Sequence, residues 1–220
     1  MEKNNQIQKK ENGQLDEREK RIFALVDLSR YPYFIRVYKK DKRKYYKYTE
    51  PREQGTFVWE IVSPSFLPNG KEGYLPGIYE WKCYLWMLNK ISKVLQETGQ
   101  IPKVIDFSLY EIAEFWGERN HILFRDALYN LTATTISARI EDAPYKPFVA
   151  FSLIDALNFA EKRDRAKGKK IEPDKIRGKI VLSEGTYQLL CMGRVKPNAI
   201  ETWKKLGEKN LSSASLYEFL

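Results

Sequence analysis

A chain of 220 residues has room for one large domain or two small ones. With 43% apolar and 14% aromatic residues it can build a packed core, while two cysteines and one histidine exclude a disulfide framework and a four-ligand zinc site. The net charge of +9 points to a polyanionic partner, nucleic acid first, with a merely basic soluble protein as the plainer alternative.

Residues 1–20 are polar, lack a signal-peptide core and read as a disordered tail. Tyr33–Tyr38 (YFIRVY) and Thr56–Val62 (TFVWEIV) alternate and are rich in β-branched and aromatic side chains, which predicts two strands of an N-terminal hairpin. The segment between them, KKDKRKYYKYTEPREQG, is basic and tyrosine-rich and reads as their connection. Residues 63–77 hold three prolines and three glycines and predict a loop that ends at a helix start.

Ile78–Gln96 carries Ile78, Trp81, Leu85, Leu88, Ile91 and Leu95 at three- and four-residue steps, an amphipathic helix stopped by Gly99. Val104–Phe107 predicts a short strand. Ser108 and Glu111 have capping-box spacing, and Leu109, Ile112, Phe115 and Trp116 give the following helix its buried stripe, with Gly117 as its stop. After the turn Glu118-Arg119-Asn120, a second helix runs from about His121 to Thr132, with Phe124, Ala127, Leu128 and Leu131 inward. Thr134–Ser137 then favours a strand. Phe148–Ala160 predicts a buried strand with a bend near Asp155. Residues 161–179 hold nine basic and four acidic side chains and predict a wing tip, followed by a strand at Lys179–Leu182 and a Ser183-capped helix to Cys191.

Strand, helix, turn, helix and strand from Val104 to Glu141 is the order of a helix-turn-helix core. The fold expected is α+β: a winged helix-turn-helix domain over residues 21–210, with an N-terminal β-hairpin elaboration and a basic wing. Trp59, Trp81, Trp86 and Trp116 lie in apolar patterns and are assigned to its core.

In such modules the second helix offers its first turns to base edges and phosphates. Here that surface is Arg119, Asn120, His121, Arg125 and Tyr129, with Thr132 on the same face; Arg can bond guanine and Asn adenine. A second basic cluster, Lys42, Arg43 and Lys44 among tyrosines, reads either as a phosphate-contacting element or as a solvated turn. The wing residues Arg163, Arg165, Lys167, Lys169 and Lys170 carry the same two readings. No phosphate-cradling loop, paired metal-binding histidines or nucleophile motif is present, so no catalytic residue, metal or cofactor is assigned. No apolar run reaches the roughly 18 residues of a membrane span, and a cytoplasmic protein without a membrane partner is expected.

Several motifs, in order, resemble plasmid replication initiators of the Rep type, in particular the replication initiator protein A group. They are Trp59-Glu60-Ile61-Val62, Gly73-Tyr74-Leu75-Pro76, Val104-Ile105-Asp106-Phe107-Ser108 with Tyr110-Glu111-Ile112, and Ala127-Leu128 and Leu131 before Thr134-Thr135-Ile136. Phe151–Asp155, Val181-Leu182-Ser183 with Tyr187, and Leu216–Leu220 follow. The resemblance covers about residues 56–220. It implies two tandem winged-helix domains, the first for dimerisation and DNA contact and the second for reading origin repeats. On that reading residues 211–220 open a second, missing domain. The implied function is non-enzymatic initiation of plasmid replication, with duplex origin DNA, a second copy of the chain and host replication proteins as partners. A winged-helix copy-number repressor and a dimerisation or interaction module are the alternatives.

Overall fold

In a computed structural model, residues 43–53, 55–142, 148–159 and 177–192 are described. The expectations for the tail, for a strand at Tyr33–Tyr38, for the tip of the wing at 160–176 and for residues 211–220 lie outside them.

Two antiparallel sheets and four helices make up the described α+β fold. The chain runs β1 (Tyr45–Arg52), β2 (Gly55–Val62), α1 (Ile78–Thr98), β3 (Val104–Phe107), α2 (Leu109–Phe115), α3 (His121–Ala133), β4 (Thr135–Glu141), β5 (Phe148–Phe151), β6 (Ile154–Phe159), β7 (Gly178–Leu182) and α4 (Glu184–Cys191). One sheet has the order β1-β2-β4-β5, the other β3-β7-β6. The second sheet with α1, α2 and α3 is a winged helix; β6 and β7 pair antiparallel as the stem of its wing.

The elaboration is a hairpin, but its first strand is β1, in the segment expected to be a connection. Tyr46 and Tyr48 point inward opposite Ile61 and Trp59, while Tyr45, Lys47 and Thr49 face out. Tyrosines alternating with polar residues are a strand pattern, and Lys47 with the basic run before it hid it. The inner face continues across the sheet as Trp59–Ala138–Val149 and Ile61–Ile136–Phe151.

The strand expected after the second helix is β4, and it joins the four-stranded sheet. One further departure concerns connectivity. The apolar run from Phe148 is two strands in two sheets. The chain crosses between them at Ser152-Leu153, where Leu153 is buried, Ser152 Oγ donates to the Ile154 carbonyl at 2.8 Å and the register slips around Asp155. α4 closes this crossing. Ser183 Oγ accepts from Thr186 N at 3.1 Å, and a Cβ at Gly185 would lie 2.5 Å from the Phe151 ring, so only glycine lets the helix come so close.

α1 is buried on more than its expected stripe. Besides Trp81, Leu85, Leu88 and Ile91, the residues Cys83, Tyr84, Trp86 and Met87 are buried, and only beyond Ile91 does the helix emerge, with Leu95 exposed. A helix apolar all round its first turns belongs in the core centre, and residues of both sheets and all four helices join it in one cluster. Gly99, at φ +70°, ends it by donating to the Leu95 carbonyl at 2.8 Å.

Candidate nucleic-acid interface

The helix-turn-helix is α2, the turn Trp116–Asn120 and α3. Ser108 Oγ caps α2 by accepting from Glu111 N at 3.0 Å. The Glu111 carboxylate is paired with Lys90 of α1, so its side chain ties the two helices together. Gly117 at φ +67° makes the left-handed turn, and Glu118 N donates to the Ala113 carbonyl at 2.8 Å. The turn is pinned to α1 from two sides: Trp116 Nε1 donates to the Lys82 carbonyl at 3.1 Å, and Lys82 Nζ meets Glu118 Oε1 at 2.6 Å. Phe124, Ala127, Leu128 and Leu131 are all fully buried, as expected from their spacing.

This packing leaves Arg119, Asn120, His121 and Ile122 exposed at the start of α3. Asn120 is also the helix cap: its Oδ1 accepts from Ile122 N at 3.2 Å. Bidentate reading of adenine needs the amide oxygen as well as the nitrogen, so such a contact would compete with the cap. Arg125, Tyr129 and Thr132 follow His121 at helical spacing but are half-buried. The Thr132 hydroxyl donates to the Leu128 carbonyl at 2.9 Å. Among the described residues of α3, those left exposed are His121 and Ile122, in its first turn.

A second segment accounts for much of this coverage. Residues 66–72 fold into a small hairpin closed by the Phe66–Glu72 bridge, with Leu67 buried and Gly70 at φ +77°. Its tip reaches α3: Asn69 Nδ2 donates to Asp126 Oδ1 at 2.8 Å, and Lys71 Nζ lies 2.5 Å from Asp126 Oδ2. Asp126 also has Arg125 NH2 at 3.4 Å and its side chain is only 5% exposed. Neither Asp126 nor its hairpin partners were singled out in the sequence. An Asp inside an apolar helix was the available signal, but partners more than fifty residues away leave no spacing to read.

A buried polar network lies one turn further along α3. Glu80, 1% exposed, accepts from Gly77 N at 2.8 Å and from Asn130 Nδ2 at 3.2 Å, and hydrogen-bonds to the Tyr74 hydroxyl. Asn130 Nδ2 also donates to the Tyr74 carbonyl at 2.9 Å. The 73–77 loop, the start of α1 and α3 are thereby fixed to one another. Burial pushes the Glu80 carboxyl and the Tyr74 hydroxyl above their ordinary values.

Of the basic cluster before β1, Arg43 is exposed at the strand's approach. Lys44 is committed to structure, with Glu72 Oε1 at 3.2 Å and the Gly73 carbonyl as partners, so it joins β1 to the 66–72 hairpin. Lys42, Arg163, Arg165, Lys167, Lys169 and Lys170 lie outside the described residues. The wing stem is described, and β6 packs directly beside α3, so a basic segment of the chain follows a strand neighbouring that helix.

On the outer face of the four-stranded sheet, Arg139 grips Glu60 with two nitrogens, NH2 at 3.0 Å from Oε1 and NH1 on Oε2. Tyr45 OH adds a 2.6 Å bond and Ser137 Oγ one of 3.3 Å. The Arg139 guanidinium holds the Glu60 carboxyl at about 2 against an ordinary 4.5, with burial opposing it. A lowered folded pKa means stability that is fully present above pH 4.5 and lost as pH falls towards 2. Glu60→Gln is expected to cost about 1–2 kcal/mol at neutral pH, with the two proteins converging in denaturant melts near pH 2. An equal gap at both pH values would contradict the assignment.

Among the described residues no three His, Cys, Asp or Glu side chains gather as metal ligands, and no helix is long and apolar enough to cross a membrane. No protein-family model matches the chain, and no curated protein does. Solved structures do share its fold. A crystal structure of domains 2 and 3 of RctB superposes with a TM-score of 0.57 over 84% of this chain, at 12% identity. A second structure of RctB domains 2–3 gives 0.49 over 71% at 9% identity. The chain spans 65% of the first RctB chain and 56% of the second. At such identities the likeness is one of fold.

Proposed function

We propose that this protein is a non-enzymatic replication initiator that binds duplex DNA of a plasmid origin through its winged helix. The observation that carries the reading is the joint placement of two basic features. The exposed turn of Arg119, Asn120 and His121 opens α3, and the basic 160–176 segment is borne on a stem whose strand β6 packs against α3. An exposed helix start and a basic segment following a neighbouring strand can address a groove and its flanking phosphates together. Support comes from the resemblance of the ordered motifs to plasmid replication initiators and from the fold shared with domains 2 and 3 of RctB. The net charge of +9 supplies the sequence-independent part of the attraction. A dimer and host replication proteins belong to the same proposal.

The test is a titration of labelled duplex carrying origin direct repeats, against an unrelated duplex, at several salt concentrations. Affinity is expected to fall linearly on logarithmic axes as salt rises. Arg119→Glu is expected to cost about 1–3 kcal/mol of binding. Absence of binding at low salt would sink the proposal. The half-buried middle of α3 favours a second reading, an assembly module whose helix makes few base contacts. Unchanged DNA affinity of Arg119→Glu with an altered oligomeric state would select it.

A further inference from the structure

We infer that Ile122 reads a thymine, by packing against the C5-methyl group that this base presents in the major groove. This deepens the DNA reading above and rests on it. The exposed residues of α3, among those described, are His121 and Ile122 of its first turn. One turn further along, Asp126 is covered by Asn69 and Lys71 of the 66–72 hairpin. Just before, Asn120 is engaged as the helix cap, its Oδ1 accepting from Ile122 N at 3.2 Å. Ile122 is 45% exposed. With about 3.6 residues per turn, it lies roughly 120–180° round the helix from each of the buried Phe124, Ala127, Leu128 and Leu131. It therefore projects away from the core.

Every base edge in the major groove offers donors or acceptors, and thymine alone adds an apolar group, its C5-methyl. An isoleucine side chain can neither donate nor accept. Set against the amino group of adenine or cytosine, it would leave a donor without a partner. Set against a methyl group, it takes apolar surface of both out of water. The side chain thus selects thymine by attraction and the other bases are disfavoured by unpaired polar groups. Its mounting is stiff. Trp116 Nε1 on the Lys82 carbonyl at 3.1 Å and Lys82 Nζ on Glu118 Oε1 at 2.6 Å hold the preceding turn to α1. The Asn120 cap fixes the N–H of Ile122 itself. A β-branched side chain in a helix keeps largely to one χ1 rotamer, so little freedom is lost on contact.

The experiment compares wild type and Ile122→Ala on two duplexes, one carrying the origin direct repeats and the other the same sequence with uracil in place of every thymine. Uracil keeps the pairing, donors and acceptors and lacks only the methyl. Wild type is expected to bind the uracil duplex about 3- to 5-fold more weakly, the share of one buried methyl. Ile122→Ala is expected to bind both duplexes alike, with the wild-type salt slope, because no phosphate partner is lost. The position is exposed and alanine is the better helix former, so the variant keeps the fold. No loss on uracil in wild type would overturn the inference. An equal loss in both proteins would also overturn it and assign the methyls to DNA shape or another contact. An altered oligomeric state of Ile122→Ala with the methyl dependence intact would overturn it and assign the side chain to a protein partner. Wild type that binds neither duplex at low salt would overturn the DNA reading itself, whereas binding without methyl dependence removes this inference alone.

Discussion

Replacing Phe124 with alanine is expected to lower the unfolding free energy by about 3–5 kcal/mol. The ring is fully buried, meets Tyr79 edge-on at 5.5 Å between centroids, and sits where α3 crosses α1. The backbone is tied at the same residue, since Cys83 Sγ donates to the Phe124 carbonyl at 3.7 Å, which limits collapse into the space left behind. Domains of this size have about 5–15 kcal/mol in all, so the variant should lose about a fifth or more of its stability. Urea unfolding checks it: the midpoint should drop while the slope stays constant. Phe124→Leu should recover most of the loss. A cost below about 1 kcal/mol would show that α3 is not anchored through this ring.

Asn130→Ala is expected to cost about 2–4 kcal/mol, by a different route. The side chain is fully buried and donates to both the Tyr74 carbonyl and Glu80 Oε1. Its removal leaves two buried acceptors short of a donor, one of them a carboxylate. The pH dependence identifies the cause. Burial raises the folded pKa of Glu80 above 4.5, so the charged group costs stability above the unfolded value and that cost fades as pH falls below it. Asn130 partly offsets this cost, so the gap between wild type and variant should narrow on going from pH 7 to pH 4. A gap that widens towards acid would assign the loss to packing or to another group. The effect runs opposite to that of Glu60, whose stabilising charge is lost in acid.

Local patterns carried the helical part of the fold. The three- and four-residue spacing of Phe124, Ala127, Leu128 and Leu131 marks a buried stripe whatever it packs against. Ser108, Gly117 and Ser183 mark helix ends because capping is satisfied within three or four residues. The exposed start of α3 was legible for the same reason. The pattern failed at β1, where Lys47 among the tyrosines and the basic run before them masked a period of two. It failed again at Phe148–Phe159, since an apolar run does not say that its halves pair in different sheets.

By itself, the sequence determined the helix-turn-helix, its caps, the basic balance of the chain and the inward face of α3. All of these depend on neighbours a few residues apart or on sums over the chain. Only the tertiary structure decided which sheet each strand joins and how Glu80 and Asn130 lock α1 to α3. It also decided that Lys44 is spent on the loop, and that the 66–72 hairpin lies on Asp126. Those contacts bring together residues that are 50 to 57 apart in the case of Asn130 with Glu80 and Asp126 with its hairpin partners. A buried polar group is satisfied by whichever partner the packed chain brings near, and a linear pattern holds no record of that partner.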